Sequence, residues 1–159
     1  MQKRYPSDQL LFIAVLFLSI SYQSICSIEK THAVVVFPDG KEIYVELAET
    51  EMSRKLGLMF RERLDWDEGM LFIFENDDFH SIWMKNCMIP LDIIWLNRNG
   101  KIVHIKHSAQ PCPGNEDCQV FTPFQRSRYV LEVKAGTAKK FSLKQGDELF
   151  LLGIHGRNE

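Results

Sequence analysis

From Ala33 the chain alternates. AVVVFPDGKEIYVEL holds two β-branched runs around Phe37-Pro38-Asp39-Gly40, and Ile43, Val45 and Leu47 alternate with Glu42, Tyr44 and Glu46. A two-residue period with Pro and Gly at turn positions predicts a hairpin with one apolar face. The period then lengthens. Behind Thr50, a candidate N-cap, Met52, Leu56 and Met59 recur at helical spacing, which predicts one short helix with those residues inward, weakened by Gly57. GMLFIFE, from Gly69 to Glu75, is apolar without alternation and suits a strand covered on both sides, ended by Asn76-Asp77-Asp78. FHSIWM predicts a further strand, LDIIWLNRNGKIVHIKH two strands joined at Asn97 to Gly100, YVLEV another, and ELFLL a closing one. Ala138 to Lys144 predicts a helical turn stopped before Gly146, and Ser108 to Arg128 shows no period. The expected fold is mainly β (α+β), a compact antiparallel β sandwich or barrel-like domain with one short helix. It occupies 31–152 as a single domain, with a tail over 153–159.

One stretch breaks the apolar pattern. In IWMKNCMIPLDIIWL, Ile82 to Leu96, the residues Lys85, Asn86, Cys87 and Asp92 interrupt a run of large side chains. Pro90 forces the residue before it into extended backbone, so MKNCMIP predicts a corner between strands. Beyond it Leu91, Ile93 and Trp95 share one face and Asp92, Ile94 and Leu96 the other. A carboxylate among such neighbours needs partners if buried, and Lys85, Asn86 and backbone amides of the corner are the local candidates. The structural reading, a corner network, leads. A ligand-contacting or catalytic Asp92 is the alternative, with His80 a weak second candidate for an acid and base pair. Trp83 and Trp95 beside the corner are read as core.

The N-terminus is of another kind. Lys3 and Arg4 precede an apolar run from Leu10 to Ile20, and SYQSICS follows. A membrane span needs about 20 apolar residues and a signal-peptide core roughly 7 to 15, so residues 1–27 are read as an export signal. Ser21, Ser24, Cys26 and Ser27 offer several cleavage positions; lipidation at Cys26, or an uncleaved anchor, are the alternatives. The expected location is periplasmic or extracellular, with a membrane-anchored form as the variant and membrane contact only through this segment. In such a compartment Cys112 and Cys118, which flank a Pro-Gly-Asn turn, are expected to form a disulfide, leaving Cys87 as a buried small hydrophobe.

Composition narrows the chemistry. A formal charge of −2 over 159 residues gives no footprint for nucleic acid. Arg54, Lys55, Arg61 and Arg63, offset by Glu51, Glu62 and Asp65, fit a solvated helix face. His104 and His107 point to opposite sides of a strand, and no HExxH, GxSxG or phosphate-binding glycine loop is present, so no metal and no cofactor are expected.

The ordered motifs GLMFRERLDWDEGMLFIFE, WMKNCMIPLDIIWLNRNGKIV, the Pro-Cys of QPCPG, and YVLEVKAG with Gly146-Asp147 resemble the DUF192 family, also called UPF0127, over Ala33 to Leu151. These are small, frequently exported proteins whose biochemical role is uncharacterised. The resemblance implies a compact, mainly β fold with a short helix, and supplies no established catalytic set. Its polar motif residues fall on Arg61, Lys85, Asn86, Asp92 and Glu132, which makes these the candidates for a shared ligand pocket or structural cluster. Cys112 and Cys118 match a pair seen in exported members, and Cys87 stands where a threonine is often found. The function expected is a binding module of the cell envelope, for an unknown small molecule or envelope protein, rather than an enzyme. The alternatives are an envelope hydrolase or sugar-processing enzyme using Asp92, and a structural or assembly protein without ligand.

Overall fold

The computed structural model describes residues 32–114 and 117–154. The export-type segment 1–27 with Cys26, and the tail beyond residue 154, lie outside them. The strands are β1 (His32–Val36), β2 (Glu42–Ala48), β3 (Glu68–Asp78), β4 (Ile82–Trp83), β5 (Leu91–Leu96), β6 (Ile102–Ala109), β7 (Val120–Phe121), β8 (Ser127–Lys134) and β9 (Phe150–Leu152). The helices are α1 (Glu51–Leu56) and α2 (Thr137–Lys140).

Seven strands form one sheet in the order β6-β5-β8-β3-β2-β1-β9, and β4 and β7 pair separately. The first hairpin forms as its alternation predicts, with the Gly40 N–H donating to the Phe37 carbonyl at 2.9 Å. The expectation of an antiparallel sandwich or barrel-like domain is corrected in its strand direction. Strands β2 and β3 run parallel, from Tyr44 opposite Glu68 to Ala48 opposite Phe72. The chain between them must return to its starting end, and α1 with the loop after it supplies that crossover. Periodicity cannot reveal strand direction, so the mixed sheet was hidden. The two edges of the sheet approach each other around the Lys101–Glu148 bridge. There the Ile102 N–H donates to the Asp147 carbonyl at 2.8 Å, and the Leu149 and Gly146 N–H groups donate to the Gly100 and Ile102 carbonyls at 2.9 Å each. No continuous ladder closes the sheet among the described residues. Strand β3 also runs through Asn76-Asp77-Asp78 to pair Asp78 with Ser127, past the expected stop.

Two apolar layers follow from the two-residue period. On one face Val35, Ile43, Leu71, Ile94 and Leu131 pack under Ala138, Leu143 and Leu149. On the other, Phe72, Ile93, Trp95 and Val130 pack under Leu58, Leu64, Ile82, Met84 and Cys87. All six residues of β5 are buried, which explains why LDIIWL is apolar on both faces. Each fully buried large aliphatic side chain contributes roughly 1.5–3 kcal/mol, so the interior strands β5 and β8, with the most continuous burial, anchor the domain.

Helix α1 is capped as expected: the Ser53 N–H donates to Thr50 Oγ1 at 3.0 Å and the Thr50 N–H to Ser53 Oγ at 2.9 Å. Its predicted inward face is corrected, because Met52 is 74% and Leu56 55% exposed and no residue of the helix is buried. The helix stops at Gly57 after less than two turns, so the burial falls to Leu58 in the loop instead. Cys112 and Cys118 are joined in a disulfide and Cys87 is free and buried.

Candidate functional site

Asp92 is fully buried, and both its oxygens are occupied by main chain. Oδ1 accepts from the Ser108 N–H and Oδ2 from the Ala138 N–H, each at 2.8 Å. The first bond explains a β-bulge. Leu91 pairs with Ala109 but Ile93 with Lys106, so His107 and Ser108 together oppose Asp92, and Ser108 sits at φ 46° with its amide freed from the ladder. The second caps α2, whose N-cap is Gly136 without any side-chain cap of its own. The partners expected next to the corner, Lys85 and Asn86, are therefore not the ones Asp92 uses. Their side chains belong to the other face of the sheet. His80 does not meet it either: its Nε2 lies 2.9 Å from the Asn76 carbonyl oxygen and its ring stacks on Phe74 at 3.6 Å.

Glu132 is the acid that faces open space. In the β3–β8–β5 ladder it pairs with Met70 on one side and Ile93 on the other, which puts its side chain on the face opposite Asp92. It is 3% exposed, and its carboxyl has no hydrogen-bond or ion-pair partner among the described residues. Burial pushes it up to about 8, so at neutral pH the group is a carboxylic acid. The free Cys87 thiol beside it is pushed up to about 12, first by burial and then by the Glu132 charge.

Above Glu132 lies a cavity of about 190 Å³. Phe72 and Phe74 of β3 line its sheet side, Gly57 and Leu58 follow α1 along one wall, and Trp83, Lys85 and Cys87 form the other. Gly57 sits at φ 48°, and a Cβ there would stand 3.2 Å from Phe72 Cζ, so a side chain would intrude on the pocket wall. Arg54, Lys55 and Lys85 add three cations. The Arg54 guanidinium donates to the carbonyls of Glu49 and Ile73 and lies over the Phe74 ring, while the Lys85 ammonium is 5.3 Å from the Trp83 ring centroid. Trp83, read as core, is 43% exposed on the pocket; Trp95 is the buried one, its indole N–H donating to the His80 carbonyl at 2.7 Å.

The wall carrying Lys85 is held from behind by the disulfide loop. The Asn86 N–H donates to the Cys112 carbonyl at 2.9 Å, and the Cys112 and Cys87 N–H groups both donate to the Met84 carbonyl, at 3.2 and 3.1 Å. Asn86 itself is left-handed, at φ 55°, and its carbonyl accepts from the Phe60 N–H at 2.8 Å. Its side-chain amide reaches only Met59 Sδ, at 3.8 Å.

The model of the family DUF192, "Uncharacterized ACR", matches residues 34–151. The chain belongs to the DUF192 family. A UPF0127 protein of Thermococcus gammatolerans is 28% identical over 106 residues, and one of Thermococcus kodakarensis 25% over 105; each match covers 65% of this chain, with 63% and 61% of those relatives' lengths. Among solved structures, a "putative transcription regulator" of Sinorhizobium meliloti 1021 is similar with a TM-score of 0.67 at 32% identity, covering 76% of this chain and 92% of that one. A protein of unknown function from Novosphingobium aromaticivorans is similar with a TM-score of 0.65 at 31% identity, covering 75% and 83%.

Of the five polar positions that carry the DUF192 resemblance, Lys85 and Glu132 line the pocket. Arg61 instead pairs with Glu46 at 2.5 Å, Asn86 holds the corner, and Asp92 works on the far face. Arg54, Lys55, Phe72 and Phe74 complete the pocket from positions whose sequence pattern reads only as a solvated helix face and a covered strand. The available signal was Glu132 itself, a lone acid inside YVLEV, where the neighbouring residues on both faces are apolar.

Proposed function

We propose that this DUF192 domain is a binding module for a small molecule, held in the pocket over Glu132. The observation that carries the reading is the unpartnered Glu132 carboxyl, buried yet lining an open cavity. Among the described residues the buried side-chain oxygens without a partner are Asp77 Oδ1 and Thr137 Oγ1, so the Glu132 carboxyl is not sealed in but opens onto the cavity, where a ligand group can meet it. An apolar, partly aromatic wall with a few convergent polar groups is the usual form of a small-molecule site. The hydrolase reading loses its support, because both oxygens of Asp92 already accept backbone amides. A regulator acting on nucleic acid would be favoured by a strongly basic chain, and the formal charge of −2 gives that reading no support. The proposal includes an exported, envelope setting, supported by the disulfide and by the signal-like residues 1–27.

Fragment screening by amide and indole NMR on the isotopically labelled, oxidised full chain tests the reading. Hits should move the Trp83 indole and the Gly57, Lys85 and Glu132 amides together. Hits that cluster elsewhere, or a pocket unmoved by every fragment at millimolar concentration, would overturn it.

A further inference from the structure

The geometry points to a small organic monoanion as the ligand, its flat apolar body between the pocket aromatics, its anionic group at Lys55 and Lys85, and a hydroxyl or carbonyl at the inner end against Glu132. This rests on the reading of the cavity as a ligand site and names the class of ligand it takes.

Charge decides the class. Arg54, Lys55 and Lys85 line the pocket, and none of the three has an acidic partner among the described residues. Arg54 is fixed in place by two carbonyls and the face of Phe74, so its charge is directed rather than free to swing away. The acids that face this layer do not cancel that field. Glu132 keeps its proton at neutral pH because of its burial, and Cys87 is a neutral thiol. Glu46, beyond Met70 in the same row across the sheet, is paired with Arg61. On the other side of the row, beyond Ile93, Lys106 adds a further cation and stands over Phe121. A cationic ligand would enter against several uncompensated charges, and a neutral one would leave them unused.

Shape and polarity supply the rest. Phe72 and Trp83 present ring surfaces suited to a planar body, while Phe74, stacked on His80 and overlain by Arg54, closes the floor beside them. At about 190 Å³ the cavity is small beside the roughly 300–1,000 Å³ of drug-sized sites, which fits one ring with its substituents. The inner acid lacks a hydrogen-bond partner among the described residues, so a ligand that brings a hydroxyl or carbonyl to it gains a hydrogen bond that an unsubstituted ring forgoes.

Four probes separate these terms at pH 6.5: 4-hydroxybenzoate, benzoate without the inner hydroxyl, 4-hydroxybenzyl alcohol without the charge, and tyramine with the opposite charge. NMR titration of the oxidised full chain should rank 4-hydroxybenzoate first, about fivefold or more ahead of benzoate and of the alcohol, with tyramine last. The surface double variant Lys55→Gln/Lys85→Gln should bind 4-hydroxybenzoate about fivefold more weakly and leave the alcohol unaffected. Glu132→Gln should remove the fall in 4-hydroxybenzoate affinity expected in wild type as pH rises through about 8. Tightest binding by tyramine, or an unchanged 4-hydroxybenzoate affinity in the double variant, overturns the anion class while leaving the pocket reading intact. If neither these probes nor any screened fragment moves the pocket resonances, the pocket reading falls with it.

Discussion

Asp92 and Glu132 are diagonal neighbours in one ladder whose side chains leave the sheet on opposite faces: Asp92 pairs with Val133, and Ile93 with Glu132. Both are buried acids whose sequence neighbours, Leu91 and Ile93 for Asp92 and Leu131 and Val133 for Glu132, are buried and apolar. Their surroundings give them different work. Asp92 accepts two main-chain amides at 2.8 Å, whereas Glu132 has no hydrogen-bond partner among the described residues and borders a cavity. One carboxylate stabilises the fold, and the other burdens it in the service of a site.

Asp92→Ala should therefore strand two buried N–H groups, of Ser108 and Ala138, and cost about 2–5 kcal/mol. Asp92→Asn keeps one acceptor but turns an NH2 toward the second donor, so it should recover only part of that loss. Urea unfolding at neutral pH provides the comparison. An Ala variant as stable as wild type, with its fold preserved, would remove the structural role.

For Glu132 the sign is opposite. Its folded-state value is raised from 4.5 to about 8, so the folded protein holds a proton that the unfolded chain releases. The contribution is fully present below about pH 4.5, is lost as pH rises toward 8, and then stays lost. Glu132→Gln should consequently gain at least about 1 kcal/mol over wild type at pH 7, and the gain should shrink toward pH 4. Stability curves of the two proteins across this range measure it; a Gln variant less stable than wild type at pH 7 would mean that the carboxylate has a partner.

The contrast also explains what the sequence could reveal. Alternation placed the first hairpin and the double-sided burial of Leu91 to Leu96, because a two-residue period maps directly onto the faces of a strand. That same period makes Asp92 conspicuous, but its partners, Ser108 and Ala138, are 16 and 46 residues away, and local reasoning turned to Lys85 and Asn86 instead. The pocket was hidden for the same reason. It joins α1, β3, the Trp83 corner and β8, which only the sheet order brings together. Helical spacing misled at Met52 and Leu56, since a helix this short ends before it can press a stripe onto the sheet.

Cys87 should be nearly inert. With its thiol pushed up to about 12, almost no thiolate exists at pH 8, and alkylation by iodoacetamide should be slower on the order of a hundredfold or more than in urea-unfolded protein. Rapid labelling of the native chain would show that the pocket opens far more widely than its walls suggest.

Removing the disulfide by Cys112→Ser/Cys118→Ser should cost about 2 kcal/mol, the loop-closure value for so short a loop. The effect on the pocket should be local. Because the Cys112 carbonyl holds the Asn86 N–H and the Met84 carbonyl holds the Cys112 N–H, hydrogen exchange should quicken at Asn86, Cys87 and Cys112 while the β3–β8 ladder stays protected. Uniform loss of protection across the sheet would instead make the bridge a determinant of the whole fold.

Two glycines separate the integrity of the sheet from the shape of the pocket. At Gly69 an added Cβ would stand 2.7 Å from the Glu132 carbonyl oxygen and 3.1 Å from Val133 Cγ1, a collision with backbone in the middle of the β3–β8 ladder. At Gly57 the nearest atom is the Phe72 ring at 3.2 Å, which has some room to turn, although the positive φ adds backbone strain of about 1 kcal/mol or more. Gly69→Ala should accordingly destabilise by about 2–4 kcal/mol, because the strands must part. Gly57→Ala should cost less, about 1–2 kcal/mol, and should narrow the cavity from the α1 side by displacing Phe72. Thermal unfolding ranks the two, and NMR titration with the pocket probes reads the second effect: Gly57→Ala should weaken binding by more than its modest loss of stability can account for. Unaltered binding in a folded Gly57→Ala protein would show that ligands do not occupy the space between α1 and Phe72.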